Sequence, residues 1–283
     1  MRLNENIAVS TSRVLLVPYD AHHVEKYHKW MEDPSIREAT ASERLSLEEE
    51  YENQASWRES SDKLTFIVCA PLPQGAATTT TATTTTTTND NGDSSDTKEK
   101  NGAVIAGVGD AADRMVGDVN LFLSPWDDGG EGDDNGEGEQ KGKEGEAKTY
   151  YTAEIDIMIA DPGFRGKGLG RAAVATFLSF VRRHLDGILA EYMKGLFGSA
   201  VSNEKPVLKD VVAKINADNK ASIVLFKALG FEQRGETNYF GEIRMVFEGF
   251  GETDAWEGRN SGVMGEGYEE LGYDRSRLGK GAE

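Results

Sequence analysis

The feature that most restricts how this chain can fold is the run Arg165-Gly166-Lys167-Gly168-Leu169-Gly170. Just before it, Glu154 to Ala160 alternates acids with isoleucines, the pattern of a strand with one polar face, and Asp161-Pro162 ends the run. Just after it, Ala172 to Leu185 repeats apolar residues at helical spacing. The glycines allow a tight passage from strand to helix, tolerate positive φ and let a ligand approach the main chain. A helix opening at about Leu169 leaves its first N–H groups unpaired and presents the positive end of its dipole there, which makes the turn an anion site. Arg165, Lys167 and Arg171 add formal positive charge.

Three phosphate-cradling patterns compete for this turn, and spacing separates them. A Walker A loop counted from Gly163 needs Lys and Ser or Thr after Gly168, where Leu169 and Gly170 stand. Gly168-Leu169-Gly170-Arg171-Ala172-Ala173 satisfies a relaxed dinucleotide fingerprint. Its preceding strand alternates, however, instead of running apolar throughout, and Glu191, the acid that would meet a ribose, lies in an unpatterned stretch. The third pattern is Arg or Gln, two residues, Gly, one residue, Gly or Ala, after a strand that ends near Asp-Pro.

That pattern resembles the acyl-coenzyme A signature of the GNAT superfamily. A second superfamily element follows in order at Asn219-Lys220-Ala221-Ser222-Ile223-Val224-Leu225-Phe226-Lys227-Ala228-Leu229-Gly230-Phe231. Met1-Arg2-Leu3-Asn4, Thr40-Ala41-Ser42-Glu43, the strand of Cys69 and Val116-Gly117-Asp118-Val119-Asn120-Leu121-Phe122-Leu123 are similar to the branch related to ribosomal-protein N-terminal acetyltransferases. The resemblance spans roughly Met1 to Glu248 without the low-complexity insertions.

The resemblance implies an α+β GNAT fold, a mixed and mostly antiparallel twisted sheet flanked by helices. It implies acetyl-CoA as cosubstrate and no metal. Main-chain N–H groups from Arg165 through Gly166, Lys167, Gly168, Leu169 and Gly170 to Arg171 would hold the pyrophosphate. Met158, Ile159 and Ala160 would pair with the pantetheine arm as an added strand. Asn219, Ser222 and Phe226 would complete the cofactor side, although Phe226 stands where the superfamily commonly has tyrosine, which leaves the general acid unassigned. Asn219 and Ser222 also read as an N-cap and first-turn residue.

The implied reaction is acetyl transfer to an amine, expected to be a protein N-terminal α-amine. Such an amine, with a pKa near 8, is about 10% neutral at pH 7, whereas a lysine is neutral about once in two thousand. Glu154 is the candidate base and Asp156, on the same strand face, the alternative. The oxyanion donor is expected from a main-chain N–H near Met158 or Ile159. The rival reading is a scaffold that keeps the acyl-CoA cradle without turnover.

Charge and cysteine content bound the partners. Of the net −18, seven units come from 127–147, where nine acids face two lysines, so the folded part is only mildly acidic. No basic cluster suits nucleic acid, and a protein or peptide acceptor is the expected partner. Cys69 is the only cysteine, and no run of about 18 apolar residues occurs, which leads to an expectation of a soluble chain, cytoplasmic or nuclear, with no membrane partner. Oligomeric state has no signal in the sequence.

Along the chain, 1–12 reads as an N-terminal segment and 13–248 as the acetyltransferase domain. The domain is interrupted by disordered insertions at about 71–102, threonine-rich, and 126–148, rich in Gly and acid, and by an extra irregular segment at about 186–210. Residues 249–283 read as a flexible tail. Ser46 and Glu49 form a capping box ahead of a helix, Asp20 caps an earlier one, and Gly230 stops the helix after Asn219. Tyr27, Trp30 and Trp57 read as core. His22, His23 and His28 cluster in sequence without a matching carboxylate and read as surface or packing residues.

Overall fold

A computed structural model describes residues 1–73, 102–126, 148–198, 205–251, 255–260 and 262–279. The disordered insertions expected at about 71–102 and 126–148 lie almost wholly outside the described residues.

The strands are β1 (Ile7–Ser10), β2 (Leu15–Pro18), β3 (Lys63–Cys69), β4 (Ala103–Ile105), β5 (Met115–Pro125), β6 (Lys148–Ile159), β7 (Lys205–Asn216), β8 (Glu232–Arg234), β9 (Glu242–Glu248) and β10 (Glu269–Asp274). The helices are α1 (Val24–Met31), α2 (Pro34–Ala39), α3 (Leu47–Glu59), α4 (Leu169–Arg183), α5 (Leu185–Phe197), α6 (Lys220–Ala228) and α7 (Ala255–Asn260). All ten strands join one sheet in the order β4-β10-β1-β2-β3-β5-β6-β7-β9-β8. Only β10 with β4 and β6 with β7 run parallel, so the sheet is mixed and mostly antiparallel, as expected.

Alternation along the strands makes two faces. Leu64, Phe66 and Val68 of β3, Val119 and Leu121 of β5, and Ala153 and Ile155 of β6 bury against α4. There Phe66 meets the rings of Phe177 and Phe180 edge-on at 5.9 and 5.1 Å. On the opposite face α1 and α2 bury Val24, Trp30, Met31 and Ile36 with Ile67 and Met158. Ser46 and Glu49 make the expected capping box at α3. Asp20 caps a 3-10 turn, Ala21–His23, that leads directly into α1.

Three segments differ from expectation. First, 1–12 is not separate from the sheet, since it contains β1 and buries Met1. Second, the segment at about 186–210 supplies α5 and the first half of β7, with 199–204 outside the described residues. Its glycines obscure the helical pattern because they mark close approaches. A Cβ at Gly187 would lie 2.7 Å from Leu3 Cδ1, and one at Gly195 would collide with Ser61. Glu191 accepts from the N–H groups of Arg2 and Leu3 at 2.7 and 3.1 Å, so it anchors the N-terminal segment.

Third, the stretch from Gly249 returns to the core instead of trailing away. Phe250 and Trp256 are fully buried, and β10 fills the place between β1 and β4. Its apolar residues are too widely spaced among glycines and charges to show a period. They are ordered because β1 presents an edge whose N–H and C=O groups require partners.

Candidate active site

The site begins where the sheet splits. β5 and β6 pair continuously from Gly117 opposite Ile159 to Pro125 opposite Tyr151. The parallel pairing of β6 with β7 stops at Glu154 opposite Val212. Both strands continue, β6 to Ile159 and β7 along β9 as far as Asn216 opposite Glu242. A fork therefore opens between their C-terminal halves.

The Ala160 N–H donates to the Val116 carbonyl at 2.9 Å. Alternation then turns the peptide groups of Asp156 and Met158 toward β5, and those of Ile157 and Ile159 into the fork. Of the expected run Met158, Ile159, Ala160, only Ile159 turns its peptide group toward the fork. Met158 and Ala160 commit their N–H groups to β5, and the open edge belongs to Ile157 and Ile159.

The glycine turn closes the end of the fork. Asp161 accepts from the Gly163 N–H at 2.8 Å, which shapes a 3-10 turn over Pro162–Phe164. Arg165 does not aim its charge outward. Its guanidinium folds back, with Nε donating to the Ile159 carbonyl at 2.7 Å and Nη2 to the Ala160 carbonyl at 3.0 Å. Gly166 and Gly168 take φ of +70° and +77°, and Gly168 is the N-cap of α4.

The first bond into α4 runs from the Ala172 N–H to the Gly168 carbonyl, so the N–H groups of Leu169, Gly170 and Arg171 have no intrahelical acceptor. A Cβ at Gly166 would meet nothing within 4 Å, so the rim of the turn is open. Lys167 and Arg171 are exposed beside it, and Nη2 of Arg13 lies 3.5 Å from the Lys167 carbonyl. Open space, unpaired donors and three cations fit a diphosphate.

The acids lie on the face opposite α4. Phe122 stands across from Glu154, Asn120 from Asp156 and Asp118 from Met158, which puts all six side chains on one face. Glu154 is held by Lys214 at 2.7 Å. Asp156 is exposed by accessible surface, yet protein packs densely about its carboxyl. Hydration beyond the contact layer sets the cost of ionising this carboxyl, and the surrounding protein curtails it. Lost hydration first, then the charges of Glu154 and Asp118, raise it to about 7.

Asp118 is 2% exposed, and burial raises it to about 6 despite hydrogen bonds from Asn120 Nδ2 at 2.8 Å and the Tyr27 hydroxyl at 3.3 Å. Tyr27, expected as core, thus puts a polar tip on this face. Asp118 and Asn120 escaped the sequence reading of chemistry. Their signal was two polar residues, two positions apart, in an otherwise apolar strand.

On α6 the expected cofactor contacts divide. Asn219 Oδ1 accepts from the Ser222 N–H at 3.1 Å, joining both residues in the helix cap. Phe226 is 2% exposed, with its ring 5.0 Å from that of Phe231, so it belongs to the core and presents no polar atom to the fork. Leu225 is the α6 residue that lies against Gly170.

His22 and His23 find the carboxylate that the sequence lacked in Asp110, at 3.1 and 2.8 Å, while His28 stands apart. His23 Nδ1 accepts the Asp20 N–H at 3.0 Å, which leaves the ring proton on Nε2 to donate to Asp110. A metal ligand needs the reverse tautomer. Burial lowers the His23 pKa, and Tyr273 donates to the same Asp110 oxygen. The cluster is a hydrogen-bonded hub tying β10 to the turn before α1.

Comparison with known proteins bears on this geometry. The acetyltransferase (GNAT) domain matches residues 13–232. An N-acetyltransferase 9-like protein of Caenorhabditis briggsae is 36% identical over 250 residues, covering 88% of this chain and 89% of that protein. The alpha/beta-tubulin-N-acetyltransferase 9 of Drosophila melanogaster is 36% identical over 245 residues, covering 87% and 88%. Its Homo sapiens namesake is 32% identical over 246 residues, covering 87% and 84%. A domain match over most of the length, with relatives above 30% identity along nearly all of both chains, agrees with the forked sheet and open glycine turn: the chain belongs to the GNAT family of acetyl-CoA-dependent N-acetyltransferases.

Proposed function

We propose that the chain acetylates a protein N-terminal α-amine, with Asp156 as the group that takes the amine's proton. The observation that carries this reading is the position of Asp156. It stands beside the fork on the polar face, with its carboxyl poised at about 7, where a general base at neutral pH works best. Glu154, the first candidate from sequence, is engaged by Lys214 and serves better to hold that face acidic. The fly and human relatives are named for alpha- and beta-tubulin, which supports a protein acceptor. An α-amine near pKa 8 asks less of a base near 7 than a lysine does.

In this reading the N–H groups from Gly166 to Arg171 hold the pyrophosphate. Ile157 and Ile159 offer the strand edge to the pantetheine arm, and the Ile157 N–H, next to Asp156, supports the developing oxyanion. Bound acetyl-CoA supplies the thioester. A thiol with pKa near 8.5 leaves as a thiolate without a dedicated acid, which is consistent with a buried Phe226. Tubulin-directed relatives and a lone buried Cys69 support a cytoplasmic site of action. Among the described residues, no helix is long and apolar enough to cross a membrane.

The test is thiol release from acetyl-CoA with N-terminal and lysine peptide libraries. Asp156→Asn is expected to lower kcat by about 10²- to 10⁴-fold with CoA affinity kept, and Glu154→Gln by less than about tenfold. Tight CoA binding without release across both libraries would favour the scaffold reading.

A further inference from the structure

The segment Asp118-Val119-Asn120 belongs to neither the turn nor the fork, yet it places two polar side chains on the face that carries Asp156. Asn120 is 6% exposed. Its Nδ2 donates to Asp118 Oδ2 at 2.8 Å, which fixes the orientation of the amide, because a flipped amide would point Oδ1 at a carboxylate. Oδ1 is thereby turned away, enclosed and without a partner among the described residues. A buried carbonyl oxygen without a donor is unfavourable and calls for an explanation.

Two neighbours flank Asn120 across the sheet, Thr65 on β3 and Asp156 on β6. The Thr65 hydroxyl is enclosed too and makes no bond to Asn120. Because Oδ1 is sealed, an acceptor molecule cannot reach it. A donor that exists during only part of the reaction cycle fits an oxygen of this kind. An ionised Asp156 has no proton to offer, but a protonated one has.

We propose that Asn120 is a positioning residue for the transfer, whose Oδ1 accepts a hydrogen bond from the Asp156 carboxyl once it has taken the amine's proton. The idea rests on Asp156 being the base. In the step, the amine N–H bond breaks, its electron pair stays on nitrogen for attack, and an O–H bond forms on Asp156. That proton later leaves to solvent from the exposed carboxyl. Asp118 holds the Asn120 amide in place and is itself held by the Tyr27 hydroxyl. Among the described residues, the other charged or titratable groups about this face are Glu154 of β6, Lys214 of β7, Glu242 of β9, Tyr19 before α1, His28 of α1 and Glu50 of α3. All are unchanged in the variants below.

The experiment is the pH profile of kcat for the full chain, with saturating acetyl-CoA and an acetylatable peptide. Removing an acceptor that serves only the protonated carboxyl lowers the pKa of Asp156. Asn120→Ala should therefore move the ascending limb down by about 0.5 to 1 pH unit and reduce the plateau roughly three- to tenfold. KM for acetyl-CoA should stay within about twofold. Asn120→Ser keeps an oxygen acceptor and should recover at least part of the shift, and it serves alone if the alanine variant does not fold. Thr65→Val should leave the limb in place.

A limb unmoved by Asn120→Ala but abolished by Asp156→Asn overturns the role of Asn120 and leaves the base standing. A limb that survives Asp156→Asn overturns the base itself. An equal shift in Thr65→Val shows that Thr65 is the partner of Oδ1, and also overturns the proposal.

Discussion

Gly170, in the first turn of α4, stands directly against Ile159 at the end of β6. A Cβ built on it would lie 3.4 Å from Ile159 Cγ1 and 3.1 Å from Leu225 Cδ1. The glycine sets the helix N-terminus flush with the strand edge and with α6, so cradle and fork form one surface. Gly170→Ala needs a shift of a few tenths of an ångström, and CoA affinity should fall no more than about threefold. Gly170→Val overpacks the junction, and affinity should fall about tenfold or more, measured by calorimetric titration with CoA.

Arg165 links the turn to the strand through two main-chain carbonyls, those of Ile159 and Ala160. Its loss should act through geometry more than through charge. Arg165→Gln and Arg165→Lys should both raise KM for acetyl-CoA by about three- to tenfold, because neither restores the planar pair of donors. A lysine that fully rescued KM would show that charge alone matters there.

Asp118 should make stability depend on pH. Burial holds its carboxyl at about 6 in the folded chain, above the ordinary 3.8, so the folded state binds this proton more tightly than the unfolded state. The stability linked to that proton is complete below about pH 4 and is lost as pH rises through about 6, a loss of about 2 to 3 kcal/mol. Asp118→Asn keeps an acceptor for Tyr27 and carries no charge. It should raise the urea midpoint at pH 8 and leave it nearly unchanged at pH 4.

Trp256 tests whether the C-terminal region is part of the folding unit. It is fully buried, its indole Nε1 donates to Ser179 Oγ of α4 at 3.2 Å, and its ring meets Phe247 and Phe250. Trp256→Ala should cost about 3 to 5 kcal/mol in a single unfolding transition. A change below about 1 kcal/mol would mean that this region folds onto the sheet without supporting it.

Local pattern carried the elements nearest the cradle. Alternation in Glu154 to Ala160, three glycines with Lys167 among them and Arg165 and Arg171 at either end, and helical spacing after Ala172 all agree, and the strand, turn and α4 follow. The capping box of Ser46 and Glu49 was legible for the same reason, since both partners lie within one turn. Phe226 was not legible, because spacing places a residue on α6 without saying which way its ring turns. Glu154 and Asp156 share a strand face by sequence, but only the approach of Lys214 from β7, which donates to Glu154, sets their surroundings apart.

The sequence by itself determined the family, the cradle and the alternation that sets an acid face against an apolar one, because each is written in residues a few positions apart. The tertiary structure decided what depends on distant segments. It opened the fork by ending the β6–β7 pairing at Glu154, and it directed Ile157 and Ile159 into the gap. It brought Asp118 and Asn120 beside Asp156, supplied Asp110 to the two histidines, and drew the apparent tail into the sheet. These outcomes rest on hydrogen bonds and burial between residues far apart in the chain, and no local periodicity encodes a partner that arrives from elsewhere.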